Sequence, residues 1–202
     1  VMKHEGITYP TLIAGYRGEM LESEDVDLRY NNEFAETNMV WTLFSAKDLL
    51  IGDILLSYGD IVYSRNILRK ILASDAEIAV AVDLGWKNYW QKRNDDPIND
   101  AETLKIDEHG NITEIGKKPS SLEEIEGQYM GLMKFSAAGT KILNDVFEKC
   151  LKESNISGNP PRTAYMTDLL QAIIDEGYPI KAVQLTGDWI EVDTVKDLKA
   201  TV

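Results

Sequence analysis

The chain has 202 residues, 44% apolar and 27% charged, an ordinary globular composition and enough for one substantial domain with its own core. Its net charge of −13, from 34 acidic and 21 basic side chains, argues against nucleic acid or an anionic membrane as partner, since both need clustered Lys and Arg. A small phosphorylated ligand remains compatible, provided that a few lysines, a helix N-terminus or a divalent metal neutralise it locally.

Cys150 is the only cysteine, so no intrachain disulfide forms, and its apolar-periodic helix makes it inert. No run approaches the roughly 18 apolar residues of a membrane span, and no signal segment is recognised, so the expected location is the cytoplasm. The chain opens on Val1 and soon reaches a strand over 11–16, which creates the expectation of a further element upstream. A short helical turn and a brief strand over 27–30 follow, and Asn31-Asn32 marks a turn.

Met39, Val40, Leu43, Phe44 and Leu50 fall at helical spacing behind Thr37 and Asn38, which predicts a capped helix over 39–50. The apolar stretch 54–62 delivers Gly59-Asp60 near its end, which is either a turn or a carboxylate at the ligand-binding edge of an α/β sheet. A helix over 66–72 and the continuous apolar strand 78–82 complete a strand–helix alternation, which predicts parallel pairing through right-handed crossovers.

Residues 85–100 have no clear period and read as a loop or flap. Its rings Trp86, Tyr89 and Trp90 can either enclose an ammonium group or pack the loop onto the sheet. A β-hairpin is predicted over 102–106 and 111–115, followed by a capping-box pattern at 121–124 and a strand over 129–135. Helices over 137–152 and 164–176, a strand over 180–185, a short strand at 190–193 and a helix capped by Thr194 close the chain.

Three groups of residues can carry chemistry. Glu191 and Asp193, two apart on a strand, share one face and form either a solvated surface or, joined by Asp60, a hard-cation site. Lys117 and Lys118, between Gly116 and Pro119, are either a phosphate clamp or solvated loop residues. Tyr165 and Asp168 lie side by side on a helix, where Asp168 serves either a pocket or the helix dipole.

The run Gly15-Tyr16-Arg17-Gly18-Glu19, the segment from Tyr30-Asn31-Asn32 to Leu43, Gly59-Asp60, Lys118-Pro119, Gly131-Leu132 and Glu191-Val192-Asp193-Thr194 occur in an order that resembles the nucleotidyltransferases. The resemblance is to the phosphocholine and aminoalkylphosphonate cytidylyltransferases and spans nearly the whole chain. It implies a single domain over 1–202 with a Rossmann-like three-layer α/β/α sandwich and a mixed, mostly parallel sheet. It also implies transfer of a nucleoside monophosphate, from CTP in the first instance, to a phosphorylated small molecule, with Mg²⁺ as cofactor.

Carried over by position, the resemblance makes Asp60, Glu191 and Asp193 metal ligands, and Lys117 or Lys118 the binder of the acceptor's phosphoryl group. Thr37, Asn38 and Gly59 would face the nucleotide, and Trp86, Tyr89, Trp90, Gly131, Tyr165 and Asp168 the acceptor. Family members begin with a strand and an arginine-containing glycine-rich loop that cradle the triphosphate, and no stretch of this sequence matches them. The expectation is that they precede Val1. Two other functions fit the same pattern: a sugar-1-phosphate nucleotidyltransferase using UTP, dTTP or GTP, and a non-catalytic nucleotide-sensing domain. Oligomeric state is not legible in the sequence.

Overall fold

A computed structural model describes residues 1–87 and 101–200. Its centre is β5 (Ile78–Asp83), in which every residue is buried. Ile78, Val80 and Val82 enter one apolar cluster, while Ala79 and Ala81 enter another on the opposite face. A strand buried on both faces needs a layer on each side, which explains why this run is apolar throughout.

The first layer holds α1 (Met39–Phe44), α3 (Ala137–Glu153) and α4 (Met166–Asp175), whose Val40, Leu143, Phe147, Leu169 and Ile173 pack with the even-numbered β5 residues. The second holds α2 (Arg65–Leu72), capped by Ser64, whose Ile67, Leu68 and Ile71 pack with the alanines. These layers and the sheet between them make the expected α/β/α sandwich.

The main sheet runs β3 (Ile54–Ser57), β8 (Gln128–Phe135), β5, β9 (Lys181–Leu185). It is mixed: β8 pairs antiparallel with both β3 and β5, and β5 pairs parallel with β9. Direct parallel pairing of β3 with β5, which the strand–helix alternation predicts, does not occur because β8 inserts between them. β8 is eight residues long and mostly buried, so it can satisfy a neighbour on each edge.

Two-stranded ribbons surround this sheet: β1 (Thr11–Ala14) parallel with β2 (Asp27–Tyr30), β4 (Ile61–Tyr63) antiparallel with β10 (Trp189–Glu191), and the hairpin β6 (Leu104–Ile106) with β7 (Ile112–Ile115). The hairpin docks on α4 through a hydrogen bond from the Ile115 amide to the Gln171 side chain, 2.9 Å. A short helix α5 (Val195–Ala200) closes the described chain, with Thr194 and Asp197 bonding each other reciprocally at its start.

Three boundaries differ from the sequence reading. The helix predicted over 39–50 ends at Phe44 and resumes as a 3-10 turn over Lys47–Leu49. The apolar stretch 54–62 is two strands, because β3 leaves the edge of β8 at Ser57 and β4 turns away to pair with β10. The pattern at 121–124 is not a capping box: the 3-10 turn Leu122–Glu124 carries the Glu124 carboxylate back to the Ser120 amide, and Ser121 makes no cap bond.

β1 pairs with β2 and β3 with β8, and among the described residues the other edge of each strand has no strand partner. Between them lies a cavity of 650 Å³, lined by Leu12 and Ile13 of β1, Ile54 and Leu56 of β3, and Leu43 and Leu50. Cys150 is buried in α3, and desolvation pushes its thiol pKa up, consistent with an inert core cysteine. Among the described residues no helix is long and apolar enough to cross a membrane.

Candidate active site

The β4–β10 ribbon builds the carboxylate end of the molecule. Its register sets Glu191 opposite Ile61, and the Val192 amide donates to the Asp60 carbonyl at 2.9 Å. Ligand oxygens of Asp60, Glu191 and Asp193 therefore converge to within 4.8 Å of one another, with Glu191 half-buried and the two aspartates exposed. Two unit charges at that spacing repel by about 1 kcal/mol at the dielectric constant of water and several times that near a protein surface, so the cluster favours a shared cation. Mg²⁺ takes hard oxygen ligands at about 2.1 Å, carboxylates among them. The donor set, all hard oxygen, fits that ion.

Beneath the carboxylates lies a tyrosine floor. The rings of Tyr58 and Tyr129 meet edge to face, with centroids 5.7 Å apart. Burial pushes both phenols above their ordinary pKa, and the nearby charges of Glu102 and Asp60 push in the same direction. Gly131 is what lets Tyr58 lie there. It sits in a bulge where four steps of β8, Tyr129 to Met133, oppose two of β5, Val80 to Val82, and its φ is +75°. A Cβ at Gly131 would stand 2.7 Å from the Tyr58 ring.

Glu102 links this floor to the lysine turn. Its carboxylate lies 3.5 Å from the Thr167 hydroxyl on α4, and Thr167 is the residue against which Gly116 packs. Lys117 and Lys118 follow, both exposed. Lys117 is held by Glu114 at 2.7 Å and by backbone bonds to Thr103, whereas Lys118 projects from the same turn. An arc thus runs from Asp60 through Tyr58, Tyr129, Glu102 and Thr167 to the lysines.

The remaining sequence candidates lie beside this arc or are absorbed by local structure. Asn38 caps α1, accepting from the Met39 amide at 2.8 Å, and its own amide donates to the Arg162 carbonyl. Tyr58 reaches the Met39 thioether, so the first turn of α1 adjoins the tyrosine floor. The Thr37 hydroxyl is engaged in its turn, with Asn31 and the Glu33 carbonyl as partners. Gly59 is exposed, and a Cβ there would meet open space.

Tyr165 is half-exposed at the start of α4, where Asp168 accepts from the Tyr165 amide at 2.8 Å and from Asn159 at 3.0 Å. Burial raises the Asp168 pKa against the effect of those two bonds. Trp86 is 1% exposed and packs with Ile67, Ile71 and Trp189, so of its two readings the structure supports packing. Tyr89 and Trp90 lie outside the described residues.

Sequence reasoning passed over Glu102 and Asp83. Asp83 is buried, and three neutral donors surround it: the Gly85 amide at 2.8 Å, the Gly187 amide at 3.1 Å and the Trp189 indole at 2.9 Å. The signal available was an Asp ending an all-apolar strand two residues before a Gly, the pattern of an Asx turn. Nothing in the sequence pairs it with Trp189, 106 residues away.

No family model matches the chain. Over its whole length it is 34% identical to the CTP:phosphoglutamine cytidylyltransferase of Campylobacter jejuni, of which it covers 83%. The chain is a nucleotidyltransferase of the cytidylyltransferase family. Solved structures agree on the fold. The inositol-1-phosphate CTP transferase of T. maritima superposes with a TM-score of 0.72 at 18% identity, over 99% of this nucleotidyltransferase and 76% of that chain. The CTP:phosphocholine cytidylyltransferase of Streptococcus pneumoniae gives 0.70 at 16% identity, over 99% and 79%.

Proposed function

We propose that this nucleotidyltransferase transfers CMP from CTP to a phosphorylated small molecule bearing a polar or cationic head, such as phosphoglutamine, phosphocholine or an aminoalkylphosphonate, and releases pyrophosphate. The observation that carries the reading is the convergence of Asp60, Glu191 and Asp193 at one end of the β4–β10 ribbon. In the reaction an acceptor phosphate or phosphonate oxygen attacks the α-phosphorus, a P–O bond to that phosphorus forms, and the bond to the departing pyrophosphate breaks. The attacking oxygen is already ionised at neutral pH, so the chain need only position and neutralise.

Asp60, Glu191 and Asp193 would hold a Mg²⁺, which when bound offsets triphosphate charge at the reacting phosphorus. Lys118, and Lys117 once released from Glu114, bind the acceptor's phosphoryl group. Tyr165 and Asp168 flank the acceptor beyond them, and Tyr58 and Tyr129 keep the carboxylate end dry from below. Asn38 and Thr37, with Gly59 across from them, border the nucleotide. We further propose that the cavity between β1 and β3 takes the strand that leads into the family's glycine-rich loop. Its support is the two open strand edges that line one apolar groove.

The test is pyrophosphate release by the full-length protein with each of four nucleoside triphosphates against phosphorylated amines, amino-acid phosphates and sugar 1-phosphates. Turnover that needs CTP, Mg²⁺ and an amine- or amino-acid-bearing acceptor is expected. Turnover with a sugar 1-phosphate and another nucleotide would replace the acceptor reading, and no release from any pair would favour a nucleotide-sensing domain.

A further inference from the structure

We infer that Asp83 is a positioning residue, which sets the metal-binding end of β10 through the Trp189 indole. The inference rests on the reading of Asp60, Glu191 and Asp193 as cation ligands. A buried carboxylate loses several kcal/mol of hydration, and the donors to Asp83 are all neutral, so its burial is poorly explained as a stabilising device. What the three bonds do accomplish is geometric.

Two of them bracket the turn that leads from β9 into β10. The Gly187 amide precedes and the Trp189 indole follows Asp188, whose φ is +62°. A non-glycine residue in that region is strained, so the turn relaxes unless it is held on both sides. Trp189 is also the first residue of β10, and Glu191, two residues on, projects from the same face of the strand. Rotation of β10 about its axis would release the indole and swing Glu191 away from Asp60 together. The Ser64 amide, bonded to the Asp188 carbonyl at 3.0 Å, ties the turn to the end of β4 but fixes no side chain.

Asp83→Asn keeps an oxygen for the two glycine amides and sets an N–H₂ group against the indole N–H. Trp189→Phe removes the donor and shrinks the buried indole to a phenyl ring, so its melt is read beside its affinity. Both break one bond, so both should weaken Mn²⁺ binding about 10-fold, and the double variant should be no weaker than either single one. The experiment titrates Mn²⁺ into the purified full-length protein and follows free Mn²⁺ by electron paramagnetic resonance, with Asp60→Asn alongside and a thermal melt of each protein. Mg²⁺ dependence of turnover should shift by the same factor, with the acceptor KM at saturating metal unchanged.

Wild-type Mn²⁺ affinity in both Asp83→Asn and Trp189→Phe, while Asp60→Asn has lost binding, overturns the positioning role. The same holds if the melts fall and affinity does not. If Asp60→Asn also binds normally, the carboxylate-site reading itself fails and takes this inference with it. Should Asp83→Asn not fold, Trp189→Phe alone decides.

Discussion

The carboxylate end and the β1–β3 groove are built in opposite ways. At the first, polar groups are pinned: β4 and β10 pair in register, Asp83 bonds the preceding turn through the Gly187 amide and the Trp189 indole, and three carboxylates meet at the ribbon's end. At the second, two strand edges and an apolar lining of Leu12, Ile13, Ile54 and Leu56 surround 650 Å³ with no element of the described chain between them. Tyr58 belongs to both, lining the groove and lying under Asp60. The contrast teaches that the carboxylate end is held by its own pairing and hydrogen bonds, while the groove side leaves two strand edges without a strand partner among the described residues.

The largest expected effect bears on the pinned end. Chelation with EDTA should take turnover of the full-length protein to background, and added Mg²⁺ should restore it; activity that survives chelation would remove the reason for the three carboxylates to meet. Next comes the packing beneath them. Trp86→Ala should cost roughly 3–5 kcal/mol of stability in denaturant unfolding, because a buried indole leaves a cavity. A variant that melts normally but loses acceptor affinity would return Trp86 to the binding surface.

The joint between the two regions is reached through Gly131. Gly131→Ala places a Cβ against the Tyr58 ring at a positive φ, and a loss of about 2 kcal/mol should appear with a lowered kcat. A silent substitution would mean that the bulge is pliable. Tyr58 also gives the joint a pH signature. Its folded pKa lies above the ordinary 10.0, chiefly through burial, so the folded state holds this proton more tightly than the unfolded chain does. The stability linked to it is therefore full below pH 10 and is lost as pH rises towards the folded value, by at most about 1.4 kcal/mol per pH unit. Melts from about pH 9 to pH 11 should fall less steeply in Tyr58→Phe than in wild type. The smallest effect concerns the groove: a protein of residues 1–202 should bind an apolar fluorescent dye there, and dye binding should drop in a chain whose groove is filled by a strand.

Period and turn chemistry made most elements legible in the sequence. The β5 strand, α2, α3, α4, the β6–β7 hairpin and the Thr194 cap all follow from local patterns. Their pairing partners do not: local sequence gives no sign that β8 would separate β3 from β5, since strand order is decided by which buried faces meet. The same limit applies at the site. Glu191 and Asp193 announce themselves as a pair on one strand, and their meeting with Asp60 matches what the resemblance implies. Asp83 and Glu102 gain their setting from contacts with Trp189 and Thr167, far along the chain, and composition carries no trace of such contacts. Trp86 shows the reverse limit, since an aromatic residue in such a cluster reads alike whether it faces a ligand or, as Trp86 does, the core.

The account stands most directly on Asp60→Asn, measured for CTP- and Mg²⁺-dependent pyrophosphate release in the full-length protein. The substitution removes one carboxylate charge at nearly constant volume from an exposed position, so the melt should be unchanged while turnover falls by ~100-fold or more. Wild-type turnover in Asp60→Asn, with its fold intact, would contradict the claim that this end of the β4–β10 ribbon is where the reaction takes place.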